Sequence, residues 1–90
     1  MTEDADRPDL EIEIDPDIAR GLYANLVLVN RTRTELTLDF AYVQPDDRAT
    51  VQARVVLAPD NARELVTLLT TQLAAYDEAA AARAIAHEND

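Results

Sequence analysis

Residues 51–76, VQARVVLAPDNARELVTLLTTQLAAY, constrain the fold more than any other part of this chain. Apolar residues alternate as far as Leu57 and then recur three and four apart, so the period changes from that of a strand to that of a helix. The corner is Ala58-Pro59. Pro59 suits the first helical position, and Asp60 and Glu64 put carboxylates at the positive end of the helix dipole. Ala58 is a poor N-cap, so another group or water must serve the free amides. The stripe Ala62, Leu65, Val66, Leu69, Leu73, Tyr76 and Ala80 forms one apolar face. From Pro59 to Tyr76 the helix measures about 27 Å, the length of a strand of about eight residues. One helix lying on one sheet follows.

The rest of the chain supplies the sheet. Residues 10–14, LEIEI, alternate apolar and acidic residues as a half-buried edge strand does, with Glu11 and Glu13 toward water. Asp15-Pro16-Asp17 reads as a helix start with Asp15 as N-cap, and Gly21 as the left-handed residue that ends a single turn. Residues 22–29 (LYANLVLV), 35–43 (ELTLDFAYV) and 50–57 (TVQARVVL) are three further strands, separated by the turns NRTRT and QPDDRA. Short connections favour an antiparallel meander. The predicted fold is therefore α+β, an antiparallel meander of about four strands with one long C-terminal helix packed on one face. One domain covers residues 10–78, residues 1–9 form a disordered acidic tail, and residues 79–90 are a helical extension or a frayed tail.

Matching apolar faces places Leu22, Ala24, Leu26 and Leu28 beside Leu36, Leu38, Phe40 and Tyr42, and these beside Val51, Ala53, Val55 and Leu57. With Tyr42 opposite Val51 and Leu28 opposite Leu36, Asn25, Asp39 and Arg54 fall in one polar row on the far side. That side also carries Tyr23, Val27, Val43 and Val56, too apolar for a wet sheet face, which marks it as an interface. A chain of this length buries only roughly 60–65% of its unfolded surface. Homodimerisation is the preferred reading.

Charge and missing residue types narrow the chemistry. Eighteen acidic residues face eight basic ones for a net charge of −10, and every basic residue is arginine. Such a surface repels phosphate backbones and anionic membranes, so neither nucleic acid nor membrane is expected as a partner. The acidic polar N-terminus, MTEDADRPD, is unlike a secretory signal, and a cytoplasmic location is the default expectation. There is no Cys, Ser, Lys or Trp, which removes most side-chain nucleophiles, and His87 sits four residues from the end. A hydrolytic triad cannot be assembled.

With these landmarks placed, the chain resembles a family of short prokaryotic proteins known only as a domain of unknown function, DUF3467. The resemblance rests on Gly21-Leu22-Tyr23-Ala24-Asn25, Leu38-Asp39-Phe40, the run from Ala53 to Pro59, and Ala62-Arg63 with Leu69, Leu73 and Tyr76. It covers residues 10–78. Ala58 stands where the family pattern has a hydroxyl residue, and Asn61 where a histidine is often found; the second departure argues against a catalytic or metal role there. What the resemblance implies is membership without an assigned activity.

Asn25, Asp39 and Arg54 are the sharpest candidates, as a polar row locked inside a dimer interface, an ordinary cross-strand ion pair, or a ligand site. Glu11, Glu13, Asp15 and Asp17 lack the glycine-punctuated loop that wraps oxygens around calcium. His87 with Glu88 and Asp90 is a weak metal set, and Asp39, Asp46 and Asp47 show no acid–base spacing. Gly21 and Pro59 are structural. No cofactor and no catalytic residue is expected. The expected function is a non-enzymatic homodimeric interaction module, an adaptor or accessory subunit with a possible further protein partner. The alternative is an acidic module that mimics nucleic acid or sequesters a basic partner.

Overall fold

A computed structural model describes residues 9–88, with the side chains of His87 and Glu88 left out. The acidic tail therefore lies outside the described residues except for Asp9. The element order is α1 (Pro16–Ala19), β1 (Leu26–Arg31), β2 (Leu36–Val43), β3 (Ala49–Leu57) and α2 (Pro59–Glu88). The chain separates into two compact units, one ending at Pro59 and the other beginning at Asp60.

The first unit holds an antiparallel three-stranded sheet in the order β1-β2-β3. It has three strands, where the alternation in residues 10–14 predicts one more. Those residues carry no strand, and Ile12 is 82% exposed. Alternation fixes which side chains share a face, but it does not by itself pair a segment with either edge of the sheet.

The turns explain the register. At the β1–β2 connection the Thr32 N–H donates to the Glu35 carbonyl at 2.8 Å, and the Thr32 hydroxyl oxygen accepts from the Glu35 N–H at 3.0 Å. This closes the hairpin over residues 32–35 and draws Asn30 and Arg31 into β1, which ends opposite Leu36. At the β2–β3 connection the Asp47 N–H donates to the Gln44 carbonyl at 3.0 Å, with Pro45 next in line, as in a type I turn. Asp47 then takes φ 65°, and the Gln44 N–H donates to the Arg48 carbonyl at 2.8 Å. Aspartate tolerates that left-handed position through its short polar side chain.

Ahead of the sheet, Asp15 caps α1 as the sequence predicts: its carboxylate accepts from the Asp17 N–H at 2.9 Å and Pro16 follows. Gly21 has φ 77° and its N–H donates to the Ile18 carbonyl at 3.0 Å, so it ends the turn in the left-handed region. Asn25 then joins the sheet by its side chain. Its Oδ1 accepts from the Val43 N–H at 2.7 Å, and its Nδ2 donates to the Val43 carbonyl at 3.3 Å. The amide imitates a peptide group and extends the β1–β2 ladder by one step.

The second unit is the single helix α2, which runs unbroken for 30 residues, about 45 Å. It starts at Pro59, and Asp60 and Arg63 form an ion pair in the first turn. Threonine is a mediocre helix former, but three of its hydroxyls bond back to the preceding turn: Thr67 to the Arg63 carbonyl, Thr70 to Val66 and Thr71 to Thr67. Of the predicted stripe, Ala62 and Leu65 are half-buried, while Val66, Leu69, Leu73 and Tyr76 are 52–64% exposed. Among the described residues no helix is long and apolar enough to cross a membrane.

Because Asn25 supplies two ladder hydrogen bonds, Asn25→Ala should lower stability in urea by about 1–2 kcal/mol with the m-value unchanged. A midpoint equal to that of the parent would show that the amide adds nothing to the sheet.

Candidate functional site

Asp39 occupies the middle of β2, opposite Leu28 on β1 and Arg54 on β3. Arg54 Nε donates to Asp39 Oδ1 at 2.6 Å and Nη2 donates to Oδ2 at 2.9 Å. This is a two-pronged, charge-assisted contact whose planar geometry lysine could not reproduce. The pair is unequal. The Asp39 side chain is only 5% exposed and that of Arg54 is 63% exposed. A carboxylate sunk in the sheet is thus covered by a guanidinium that faces water.

The hydrogen bonds from Arg54 hold the Asp39 carboxyl below the usual carboxylate range, outweighing the loss of water around it, which pulls the other way. The same contact raises the pKa of Arg54. Asp39 is therefore held ionised and doubly bonded, the reverse of what a general acid needs.

The other residues of the predicted row part company. Asn25 lies outside it, bonded to Val43, and Leu28 takes the place opposite Asp39. The observed β1–β2 pairing differs from the predicted one by three residues, an odd number, so β1 turns its other face. Leu26 and Leu28 share a face with Asp39, Ala41, Val43, Arg54 and Val56; Val27 and Val29 share the opposite one with Leu38, Phe40, Tyr42 and Val55. The predicted interface set is thereby divided, with Val43 and Val56 on one side and Val27 on the other. Tyr23 meets Tyr42, on the Val27 side, edge to face at 6.2 Å between ring centres.

The β2–β3 pairing also departs from the predicted register. Pairing runs in step from Leu36–Leu57 to Phe40–Ala53, and then Ala41 stands opposite Val51, so Gln52 is an extra residue in a bulge. Val51 moves to the Asp39 face, away from Ala53, Val55 and Leu57. The hairpin shift had a readable signal, the Thr32 hydroxyl placed to close a turn on Glu35. The bulge had none, since no glycine or proline marks Gln52.

Other candidates are not drawn together. Among the described residues no group of three or more His, Asp or Glu side chains is placed to hold a metal ion. The Asp15 carboxylate is engaged as a cap, and Asp46 accepts from the Arg48 N–H at 3.1 Å. The set containing His87, Glu88 and Asp90 lies outside the described side chains. A hollow beside Ala75, Glu78, Ala79 and Ala82 is walled by one helix and gathers a single carboxylate.

The chain belongs to the family described as protein of unknown function (DUF3467), whose profile matches residues 1–82. No curated protein and no solved structure matches it.

The lowered pKa of Asp39 fixes a sign. Its contribution to stability is complete above the unfolded carboxylate value of about 3.9 and is lost as pH falls through the lower folded value. Arg54→Ala leaves a buried carboxylate unpaired. The variant should melt well below the parent at neutral pH, and the gap should narrow in acid once Asp39 is protonated. A gap that is absent, or constant with pH, would mean that the contact does not stabilise the sheet.

Proposed function

We propose that this chain acts as a non-enzymatic homodimeric interaction module, an adaptor or accessory subunit whose contact surfaces are its apolar sheet faces. The observation that carries this reading is that both faces expose aliphatic side chains: Leu28, Val51 and Val56 on the Asp39 side, Val27, Val29 and Val55 on the other. Scattered exposed leucines and valines are ordinary, but adjacent ones on neighbouring strands form a patch, and such patches favour a partner. A three-stranded sheet also sits near the lower limit of independent stability. A second copy would raise the buried apolar area without adding sequence.

The fourth strand belongs to the same reading. Residues 10–14 keep their alternation and leave Ile12 and Ile14 in water. In the proposed dimer they lie along a sheet edge as added strand, satisfying backbone groups that otherwise face solvent. The chemistry of the Asp39–Arg54 contact supports a binding role over a catalytic one, because it engages both oxygens of Asp39.

Sedimentation of the native chain at micromolar concentration should give twice the chain mass. Val27→Glu and Val56→Glu put a charge on opposite faces, and at least one should shift the population to monomer while the helical circular dichroism persists. A native chain that sediments only as monomer would sink the proposal.

A further inference from the structure

We infer that α2 pairs with α2 of a second copy as an antiparallel two-helix seam, with Arg63 of each helix facing Asp77 of the other. The inference rests on the homodimer reading for the identity of the partner and adds a second contact between the copies, with its direction.

Ala62, Val66, Leu69, Leu73, Tyr76 and Ala80 advance by four, three, four, three and four residues. Four and three alternate, the a/d spacing of a seam between two helices that wind around each other. The four large members are each more than half exposed, so the seam is unfilled in the single chain. It runs for about 28 Å of an unbroken helix.

Direction follows from size and charge together. In the antiparallel register that gives all six positions a partner, Ala62 meets Ala80, Val66 meets Tyr76 and Leu69 meets Leu73 of the second copy. The two-fold axis repeats each contact. Sizes are then complementary: leucines fill the centre, a small valine accommodates each tyrosine ring, and alanines close both ends. Sliding either helix by one heptad leaves two of the six positions on each helix without partners. The same register sets Arg63 and Asp77, which flank the seam on one side, opposite each other at both ends. Two ion pairs of opposite sense result. A parallel pair would instead stack Tyr76 on Tyr76 and set Arg63 beside Ala58 and Asp77 beside Gln72, giving neither charge an opposite partner across the seam. Arg63 is 74% exposed in its contact with Asp60, one turn away, and can reach across the seam from that position. The threonines do not compete for the seam, since the Thr67, Thr70 and Thr71 hydroxyls are bonded to their own helix.

The chain has no cysteine, so Leu69→Cys and Leu73→Cys each carry a single thiol. Under mild oxidation, an equimolar mixture of the two full-length variants should form disulfide-linked dimer, and either variant alone should not, because identical positions lie too far apart in the antiparallel register. Arg63→Asp and Asp77→Arg should each weaken the dimer about tenfold in sedimentation at low salt, and the double exchange should restore it. Circular dichroism of each variant checks that the helix is kept. Cross-linking of Leu69→Cys with itself would overturn the antiparallel arrangement. A native dimer with no cross-link in the mixture and no response to the charge exchange would overturn helix pairing while leaving the homodimer proposal standing. If neither sheet-face variant disturbs a dimer that does cross-link, the sheet reading falls and the helix seam stands.

Discussion

A sheet of three strands has one interior strand, and the best-buried of the described residues are confined to it. Ala41, with no exposed surface, and Asp39, at 4%, lie two apart on the same face of β2. One of the two is a carboxylate, so the most enclosed point of the sheet is also its most demanding. Without Arg54 it would hold a charge with neither water nor a counter-ion. With Arg54 it becomes a lock on register. Moving β3 by one residue would bring Ala53 or Val55 opposite Asp39 and swing Arg54 to the other face. A purely aliphatic sheet with apolar residues on both faces would resist such a slip weakly, because either face could serve as the inside. Here the charge pair distinguishes the correct pairing from its neighbours.

The bulge at Gln52 gains meaning beside that lock. It lies one pair beyond Asp39–Arg54, between Phe40–Ala53 and Ala41–Val51. The register is held where the ions meet and released directly afterwards, which sends Val51 to the Asp39 face. Bulges also twist an edge strand and make it a poorer template for indiscriminate pairing. The same strand thus contains a position that must be in step and one that is out of step.

How much of this could be read from residues alone depended on whether a feature was encoded by period or by a local hydrogen bond. The change of period at Ala58-Pro59 located the start of α2, and alternation in residues 36–40 and 53–57 set Asp39 opposite Arg54. The N-cap at Asp15 and the left-handed Gly21 followed from residue type. Two things did not follow. A hydroxyl that closes a turn changed the β1 pairing by three residues and removed Asn25 from the row, although Asn25 still bonds to β2 through an amide acting as backbone. The edge strand at residues 10–14 failed for another reason: alternation sets which side chains share a face and says nothing of which edge, that of β1 or that of β3, a segment bonds to.

The two proposed surfaces constrain each other through chain connectivity. Only Ala58 lies between the end of β3 and the start of α2, so each helix of an antiparallel pair receives its chain at the opposite end of the seam. The two entry points, at Pro59 of each helix, are then separated along the seam by about 36 Å. A dimer closed along the helices leaves each sheet face to meet a further protein, twice over in one particle. Two weak sites held at a fixed spacing bind a repeated or dimeric target far more tightly than either does alone, provided the spacing matches. A dimer closed by the sheet faces would use that apolar area on itself and leave the helices to meet the partner. The exposed aliphatic groups are the same in both cases; what differs is which of them is spent on self-association. The arginine–carboxylate lock is indifferent to that choice, since it holds the sheet's register within a single chain.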